Sequence, residues 1–238
     1  MLSAPRSSVM LANIFTPLDI NFQSATFAPR KTTPIRHMSI PANIHPVFDR
    51  MLRREDKEAM LGQRGGVVWM TGLSGSGKST IAIGLERALH AEGRYAVILD
   101  GDNVRSGINN NLDFSEAGRT ENIRRIAEVA KLFAANGAVV VCSFVSPTIA
   151  IREQARSIIG AADFIEVFVD TPLEVCEARD VKGLYAKARR GEVKDFTGIS
   201  APFEAPPAPA IRIATADRKV EDSVKELTDH LLPRLKRP

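Results

Sequence analysis

The stretch that decides the fold runs from Gly72 to Thr80 and reads Gly-Leu-Ser-Gly-Ser-Gly-Lys-Ser-Thr. Its first eight residues match the pattern GxxxxGK[ST]. The glycines of this pattern let the backbone curl so that successive N–H groups point at a phosphate, and the helix that follows adds its positive N-terminal dipole. Lys78 is expected to reach the β- and γ-phosphates of ATP, and Ser79 to offer a hydroxyl to Mg²⁺. The stretch therefore predicts a phosphate-binding loop, or P-loop, formed by Gly72, Leu73, Ser74, Gly75, Ser76, Gly77, Lys78, Ser79 and Thr80.

On both sides of this loop, short apolar runs alternate with amphipathic stretches. Apolar runs predict buried strands at 67–70, 95–99, 138–144, 164–169 and 211–214. Helical periodicity predicts helices at 78–92, 120–136, 149–159, after Pro172, and at 220–235. Strands that are apolar throughout and alternate with helices indicate an α/β fold: a doubly wound, mostly parallel sheet with helices on both faces, of the P-loop NTPase type.

The helix predicted at 120–136 has Thr120 as its expected N-cap and Gly137 as its C-terminal stop. Its expected apolar face consists of Ile123, Ile126, Ala127, Ala130, Phe133 and Ala134.

The first 46 residues differ from the rest. They are rich in Ser, Thr, Pro and Asn and carry four basic residues against the single acid Asp19. Such a segment is expected to be disordered, and residues 47–238 to form the domain. The segment is either an organellar targeting leader or an upstream extension of a reading frame that begins at Met38, and we favour the second interpretation.

Composition and charge exclude several classes of function. No apolar run approaches the ~20 residues of a membrane-spanning helix, so no membrane contact is expected. The formal charge of +4 suits a small polyanionic substrate better than nucleic acid, because no Lys/Arg block is interleaved with aromatic residues. Cys142 and Cys176 lie in apolar surroundings, which predicts buried thiols in a reducing cytoplasm and no zinc site.

The segment Asp100-Gly101-Asp102-Asn103-Val104-Arg105 directly follows the second predicted strand. Beside a P-loop, one carboxylate can orient Mg²⁺ and another can accept the proton of an attacking hydroxyl. The alternative is an Asp-Gly turn with solvated acids. The position after a buried strand favours the functional interpretation.

Three residues after the segment 100–105 are of types that can bind a polar ligand. Phe114 lies among Asn, Asp and Ser, which is typical either of a base-stacking platform or of a loop anchor. Arg119 and Asn122 are expected close together at the N-terminus of the next helix, a favourable place for an anion.

The stretch 180–209 interrupts the alternation of strands and helices. It contains Lys182, Lys187, Arg189, Arg190 and Lys194 and then a Pro-rich run. A basic segment of this kind in a compact domain predicts either a mobile lid or a disordered loop.

Taken in order and spacing, these segments resemble the adenylylsulfate kinase (APS kinase) family from about residue 46 to the C-terminus. The segments that carry the resemblance are GLSGSGKST at 72–80, DGDNVR at 100–105, Phe114-Ser115, Arg119 with ENIRR at 121–125, Ser146-Pro147, RDVKGLY at 179–185 and FTGI at 196–199. The last two are the most specific, because generic P-loop kinases lack them.

The resemblance implies an enzyme that transfers the γ-phosphoryl group of ATP to the ribose 3′-hydroxyl of adenosine 5′-phosphosulfate. The products are 3′-phosphoadenosine 5′-phosphosulfate and ADP, within sulfate activation. It also implies ATP and Mg²⁺ as cofactors, a homodimer, and a separate ATP sulfurylase as pathway partner.

The resemblance assigns roles residue by residue. It implies catalytic roles for Asp102, Asp100, Lys78, Lys182 and Ser146, nucleotide contacts for Arg179 besides the P-loop, and metal contacts for Ser79 and Asp100. It implies acceptor binding by Asp102, Arg105, Phe114, Arg119, Asn122, Val145, Ser146, Lys182 and Phe196. In the family, the residues that match Phe114 and Phe196 sandwich the substrate adenine. Which of Asp100 and Asp102 acts as the base stays open.

Ser146 matches a serine that carries phosphate in some members of the family. The alternative, which we favour, is a strand-end hydroxyl that contacts substrate or caps the next helix.

The chain departs from common family residues at Thr148, Gly118 and Ala210, none of which has an assigned catalytic role. Two other functions remain open: a different small-molecule P-loop kinase, and a catalytically silent kinase-like binding module. Silent modules usually lose the P-loop lysine or the carboxylates, and this chain keeps both.

Overall fold

The computed structural model describes residues 43–236, so most of the predicted leader at 1–46 lies outside the described residues. The chain divides into two units, Met1–Phe48 and Asp49–Pro238. A 3-10 turn, Phe48–Arg50, precedes the regular elements. In chain order these are α1 Arg54–Leu61, β1 Gly66–Thr71, α2 Lys78–Ala91, β2 Ala96–Asp100, α3 Gly101–Ser106, α4 Glu116–Ala135, β3 Val139–Ser143, α5 Ile149–Ile159, β4 Phe164–Asp170, α6 Leu173–Arg179, α7 Leu184–Arg189, β5 Ile211–Ala214 and α8 Val220–Leu235.

The five strands form one sheet in the order β2-β3-β1-β4-β5, and every described pairing is parallel. All residues of the central strand β1 and of its neighbour β3 are buried. A strand buried on both faces must be apolar throughout, which is why it reads as a continuous run in the sequence. The predicted doubly wound α/β fold is confirmed.

Alternate residues of β1 enter two separate cores. Val67 and Trp69 pack with apolar residues of α4 and α5, whereas Val68 and Met70 pack with those of α2 and α8. Each fully buried side chain of this size contributes about 1.5–3 kcal/mol of transfer free energy. Helices therefore cover both faces of the sheet, and the polar loops are left at its edges.

The loops after β1, β2 and β3 meet at the carboxyl edge of the sheet. The chain leaves β1 through α2 towards β2 on one side, and leaves β3 through α5 towards β4 on the other. Ligands of open parallel sheets bind where the strand order reverses in this way. The P-loop and the acidic segment at 100–105 lie beside this crevice.

The predicted start of the fourth helix is wrong by four residues. Helix α4 begins at Glu116, and Ser115 is its N-cap, whose Oγ accepts a hydrogen bond from the Gly118 N–H at 3.1 Å. Thr120 lies inside the helix and donates to the Glu116 carbonyl at 2.9 Å. Gly118 lowers the helix propensity of the first turn, so that turn was not predicted from the sequence. The Ser115 cap nevertheless stabilises the first turn by about 1 kcal/mol.

Further differences concern exposure and short helices. Phe133, predicted on the apolar face of α4, is 38% exposed. Helices α1, α3 and α7 were not predicted, because six to eight residues are too few to show a helical period.

The stretch 180–209 contains α7 and an isolated bridge between Thr197 and Ala201. Both carboxylate oxygens of Asp180 accept backbone N–H groups at the start of α7, from Tyr185 and Ala186 at 3.0 Å each. Capping of this kind explains a helix in a segment with little apolar periodicity. Whether the stretch moves as a lid stays a prediction.

Within residues 43–236, no helix has both the length and the apolar character needed to cross a bilayer.

Arg54 ties α1 to the sheet. Its guanidinium donates to both oxygens of Asp163, to Glu58 at 2.7 Å and to the Gly65 carbonyl at 2.7 Å. Glu58 also accepts the Gly65 N–H at 2.9 Å. Because Gly65 and Asp163 directly precede β1 and β4, this cluster holds the amino ends of two adjacent strands.

Arg54→Ala should lower the free energy of unfolding by about 2 kcal/mol, because it removes several charge-assisted hydrogen bonds from half-buried groups. In a domain of this size that corresponds to a fall in melting temperature of about 4–8 °C, measured by circular dichroism. The control is Lys225→Ala, which breaks an exposed ion pair with Asp229 on α8 and should change stability by less than about 0.5 kcal/mol. Equal melting temperatures for the two variants would refute the role of the cluster.

Candidate active site

One cavity of about 990 Å³ opens at the carboxyl edge of the sheet. It brings together nearly all of the predicted site residues. Those that line it are Ser74, Gly75, Ser76, Gly77, Lys78, Ser79, Thr80, Asp100, Asp102, Arg105, Phe114, Arg119, Asn122, Val145, Ser146, Arg179, Lys182 and Phe196. Gly72 and Leu73 are not part of its wall.

The P-loop connects β1 to α2, as its pattern requires. Gly72 passes so close to β4 that a Cβ atom would lie 2.6 Å from the Val169 carbonyl oxygen. Gly77 precedes α2 with a φ of 99°, a conformation that favours glycine. The backbone can therefore turn back over the N-terminus of α2, where N–H groups and the helix dipole favour an anion.

Lys78 is folded back onto its own loop. Its Nζ donates to the Gly72 carbonyl at 2.9 Å and to the Leu73 carbonyl at 2.7 Å, and the residue is only 8% exposed. Burial lowers its pKa to about 8, and the nearby charge of Lys182 also lowers it, while Cys176 and Asp100 oppose the shift. Gly72 and Leu73 thus accept hydrogen bonds from the lysine and do not line the cavity.

The P-loop and the acidic segment are in direct contact. Ser79 Oγ donates to Asp100 Oδ2 at 2.7 Å, and the other carboxylate oxygen of Asp100 accepts the Asp102 N–H at 3.1 Å. A hydroxyl and a carboxylate oxygen side by side are ligands that Mg²⁺ accepts, with phosphate oxygens and water completing the shell. Over residues 43–236, no group of three or more His, Cys, Asp or Glu could hold a metal by itself.

Asp102 lines the same cavity as the P-loop and is largely exposed. Its carboxylate forms an ion pair with the Nζ of Lys182, which belongs to the segment before α7. This pair joins the acidic segment to the predicted lid. Both side chains are more than half exposed, so the pair contributes little to stability and is easily exchanged for a ligand.

Arg105 and Phe114 form one wall of the cavity. The guanidinium carbon of Arg105 lies 4.2 Å from the centroid of the Phe114 ring, and its Nη1 donates to the Leu112 and Asp113 carbonyls at 3.1 Å. Burial, together with the charge of Arg119, lowers the pKa of Arg105. Phe114 is 66% exposed, which agrees better with a stacking platform than with a loop anchor.

Arg119 contacts the predicted lid. Its guanidinium donates to the Asp195 carbonyl at 2.7 Å and to Thr197 Oγ1 at 3.0 Å, and its Nε to the Phe114 carbonyl at 2.8 Å. Because α4 begins at Glu116, Arg119 lies in its first turn and Asn122 one turn later. The two residues share the cavity as predicted, but Arg119 is bonded to protein groups on both sides of Phe196.

Ser146 lies in the loop between β3 and α5 with a φ of 42° and is 2% exposed. Its Oγ accepts the Trp69 indole N–H at 3.1 Å, and its carbonyl accepts Arg152 Nη1 at 2.8 Å. Thr148, not Ser146, caps α5. The capping alternative for Ser146 is therefore wrong, whereas its position at the cavity agrees with a substrate contact. Val145, beside it, accepts Thr71 Oγ1 at 2.8 Å.

Arg179 connects the P-loop to the residue that follows β5. Its guanidinium donates to the Thr215 carbonyl at 2.8 Å and to the Gly75 carbonyl at 3.3 Å. The end of β5 is thereby linked to the middle of the loop. Thr215 also lines the cavity.

Two residues without a predicted role support the site. The Tyr185 hydroxyl donates to the Ser74 carbonyl at 2.9 Å, and its ring meets Phe196 edge-on at 5.0 Å. Arg152, 2% exposed, donates to Ser146 and, at 2.9 Å, to Glu166. Tyr185 belongs to the RDVKGLY segment, which could have drawn attention to it. Arg152 reads in the sequence as an ordinary surface arginine of α5, so no signal was available.

Comparison with known proteins agrees with this geometry. Residues 64–214 match the family model for adenylylsulphate kinase. The adenylyl-sulfate kinase of Bacteroides fragilis is 63% identical over 195 residues, covering 82% of this chain and 96% of that protein. The adenylyl-sulfate kinase of Clostridium acetobutylicum is 50% identical over 180 residues, covering 76% of this chain and 90% of that protein.

A solved structure is also similar. The APS kinase of Mycobacterium tuberculosis, in complex with AMPPNP and APS, superposes with a TM-score of 0.68 and 49% identity, covering 71% of this chain and 98% of that chain. Identity at this level over most of both chains, together with the family match, leaves one assignment. The chain belongs to the adenylylsulphate kinase family.

Proposed function

We propose that this protein transfers the γ-phosphoryl group of ATP to the ribose 3′-hydroxyl of adenosine 5′-phosphosulfate, giving 3′-phosphoadenosine 5′-phosphosulfate and ADP in sulfate activation. The observation that carries the proposal is the contact of Ser79 with Asp100. It puts the phosphate-binding loop and the acidic segment in one cavity, with Asp102 beside them. The similar structure with AMPPNP and APS supports both ligands.

ATP occupies the P-loop side in this proposal. The backbone N–H groups at the start of α2 bind its phosphates, and Lys78 leaves the Gly72 and Leu73 carbonyls to contact the β- and γ-phosphates. Ser79 and Asp100 would hold Mg²⁺, which supplies charge neutralisation between the β- and γ-phosphates when bound. Arg179 and Thr215 border the space for the rest of the nucleotide.

The two carboxylates have different surroundings, which supports a division of roles. Asp100 uses one oxygen for Ser79 and the other to cap α3, so it is suited to orient the metal shell. Among the described residues, the Asp102 carboxylate contacts only Lys182, in an exposed pair that a substrate can displace, so it is suited to accept the proton of the 3′-hydroxyl. Lys182, released from that pair, would balance charge on the transferred group.

The acceptor occupies the opposite wall. Phe114 and Phe196 both face the cavity and are suited to hold the adenine between them, while Arg105, Arg119 and Asn122 contact the phosphosulfate and ribose. In this proposal Val145 and Ser146 complete the wall, with Ser146 as a contact and not a phosphate carrier. In-line transfer requires no covalent intermediate.

Other parts of the proposal concern the whole protein. We infer a catalytic unit of residues 47–238 with a lid at about 180–209 that closes over both substrates and excludes water. We also infer a homodimer, a separate ATP sulfurylase that supplies the acceptor, and a cytoplasmic location. The two buried free thiols, Cys142 and Cys176, suit a reducing compartment.

The direct test measures ADP release with Mg²⁺ and ATP in the presence of a single acceptor. Adenosine 5′-phosphosulfate should give turnover, while AMP and gluconate, acceptors of related kinase types, should give none above the ATP-only background. Gluconate lacks the purine that the aromatic pair would hold, and AMP lacks the sulfate group that the arginines would contact in addition to the phosphate. Faster turnover with AMP or gluconate would replace the proposed acceptor, and no turnover with any acceptor would favour a silent binding module.

Asp102→Asn should lower kcat by about 10²–10⁴-fold, because the amide cannot accept the hydroxyl proton. The Kd for ATP, measured by calorimetry, should stay within about threefold, since Asp102 does not contact the P-loop side. The matched control is Asp229→Asn on the outer face of α8, which should leave kcat unchanged. A kcat for Asp102→Asn within tenfold of the unchanged protein would remove Asp102 from the proposed role of base.

Phe114→Ala should raise the KM for adenosine 5′-phosphosulfate by about 5–150-fold, the equivalent of losing one stacked base face. The KM for ATP should change less than about threefold, because Phe114 lies on the acceptor wall. The control is Phe133→Ala, a half-exposed phenylalanine at the far end of α4. If Phe114→Ala affects both substrates equally, the ring supports the cavity generally and does not stack on the acceptor.

A further inference from the structure

Asn109 is a fully buried amide next to the acceptor wall. It lies in the connection between α3 and α4 and is 0% exposed. Its backbone N–H donates to the Val104 carbonyl at 3.0 Å, and its carbonyl accepts the Leu112 N–H at 3.1 Å. Because both backbone groups are bonded, the side chain leaves from a fixed point towards α4.

The side chain of Asn109 meets that of Asn122. Asn109 Nδ2 donates to Asn122 Oδ1 at 2.9 Å and also lies 3.4 Å from the main-chain oxygen of Asn122. A main-chain oxygen can only accept hydrogen bonds, so the atom of Asn109 that faces both oxygens has to be the NH₂ group. This contact therefore determines the orientation of the Asn109 side-chain amide, that is, which of its two terminal atoms is Nδ2.

The orientation of Asn122 follows from that of Asn109. With its Oδ1 bonded to Asn109, the Asn122 amide keeps its Nδ2 group for the cavity that the residue lines. Within the part of the chain that the structure describes, Asn122 Nδ2 makes no hydrogen bond, and the residue is 6% exposed. A ligand at this wall thus meets a donor and not an acceptor.

The arrangement is costly for stability. Among the described residues, Asn109 Oδ1 is buried and has no hydrogen-bond partner. An unsatisfied buried polar atom is unfavourable, and an apolar side chain of similar size would avoid it. A buried amide that keeps one atom unpaired calls for an explanation, and its effect on Asn122 supplies one.

We propose that Asn109 is a positioning residue that fixes the Asn122 amide with its donor towards the anionic acceptor. The proposal rests on the proposed function, because the acceptor's phosphosulfate and ribose supply the oxygens that the donor would meet. Hydrogen bonds to charged oxygens are stronger than neutral ones, and an amide turned by 180° would present a repulsive oxygen instead. Asn109 itself contacts no substrate; it acts through Asn122.

The test uses the full chain and two substitutions. Asn109→Leu removes the hydrogen bond at similar volume, and Asn109→Asp replaces the donor with an acceptor, so that Asn122 turns its Nδ2 group inwards. We expect the KM for adenosine 5′-phosphosulfate to rise about tenfold for Asn109→Leu, and further for Asn109→Asp, the size of one charge-assisted hydrogen bond. The KM for ATP should stay within about twofold. The control is Asn110→Asp, the same chemical change at the exposed neighbour, which should leave both constants unchanged.

A double-mutant cycle separates positioning from general support. In the Asn122→Ala background, Asn109→Leu should not raise the acceptor KM any further, because the group through which it acts is gone. Additive effects, or an unchanged acceptor KM for Asn109→Leu in a folded protein, would overturn the proposal. If Asn109→Asp does not fold, as judged by its melting curve, Asn109→Leu and Asn109→Ser decide the outcome. Absence of acceptor turnover in the unsubstituted protein would instead count against the proposed function.

Discussion

The burial of β1 at the centre of a parallel sheet is the constraint on which the site depends. All six residues of this strand are buried, with β3 and β4 paired on either side. The chain must therefore leave the strand by a tight turn at the carboxyl edge and return as a helix, and the glycines of the P-loop permit that turn. The same parallel pairing brings the ends of β2 and β3 to this edge. The acidic segment and Ser146 therefore lie near the P-loop in the fold, although both are distant from it in the sequence.

The cationic residues of the site are already engaged by the protein itself. Lys78 is bonded to loop carbonyls, Lys182 to Asp102, and Arg119 to the lid segment. Left unpaired, such groups would repel one another and be poorly solvated inside the cleft. In the proposed function, a substrate that binds these residues exchanges an existing contact for a new one, and only the difference between the two contributes to affinity.

Much of this architecture could be predicted from the sequence, because β-strands buried on both faces and the P-loop pattern are local signals. All five strands and the helices α2, α5 and α8 agree with their predicted ranges to within one residue at each end. The start of α4 could not be predicted, since the helix begins with Ser115 as a cap and then places Gly118 in its first turn. Most site residues reach one cavity because they follow strand ends. The partners of Arg119, Tyr185 and Asn109 lie 13 to 111 residues away in the chain, and no local pattern reveals such pairs.

Tyr185 gives the molecule a mechanical property beyond its contribution to packing. One end of its side chain is hydrogen-bonded to Ser74 in the P-loop, and its ring rests against Phe196 on the acceptor wall. Tyr185 consequently connects the P-loop with the wall of the cavity that contains Phe196. We therefore expect substitutions in the 180–199 stretch that change acceptor binding to change nucleotide binding as well. The P-loop side and the acceptor wall would have to be redesigned together.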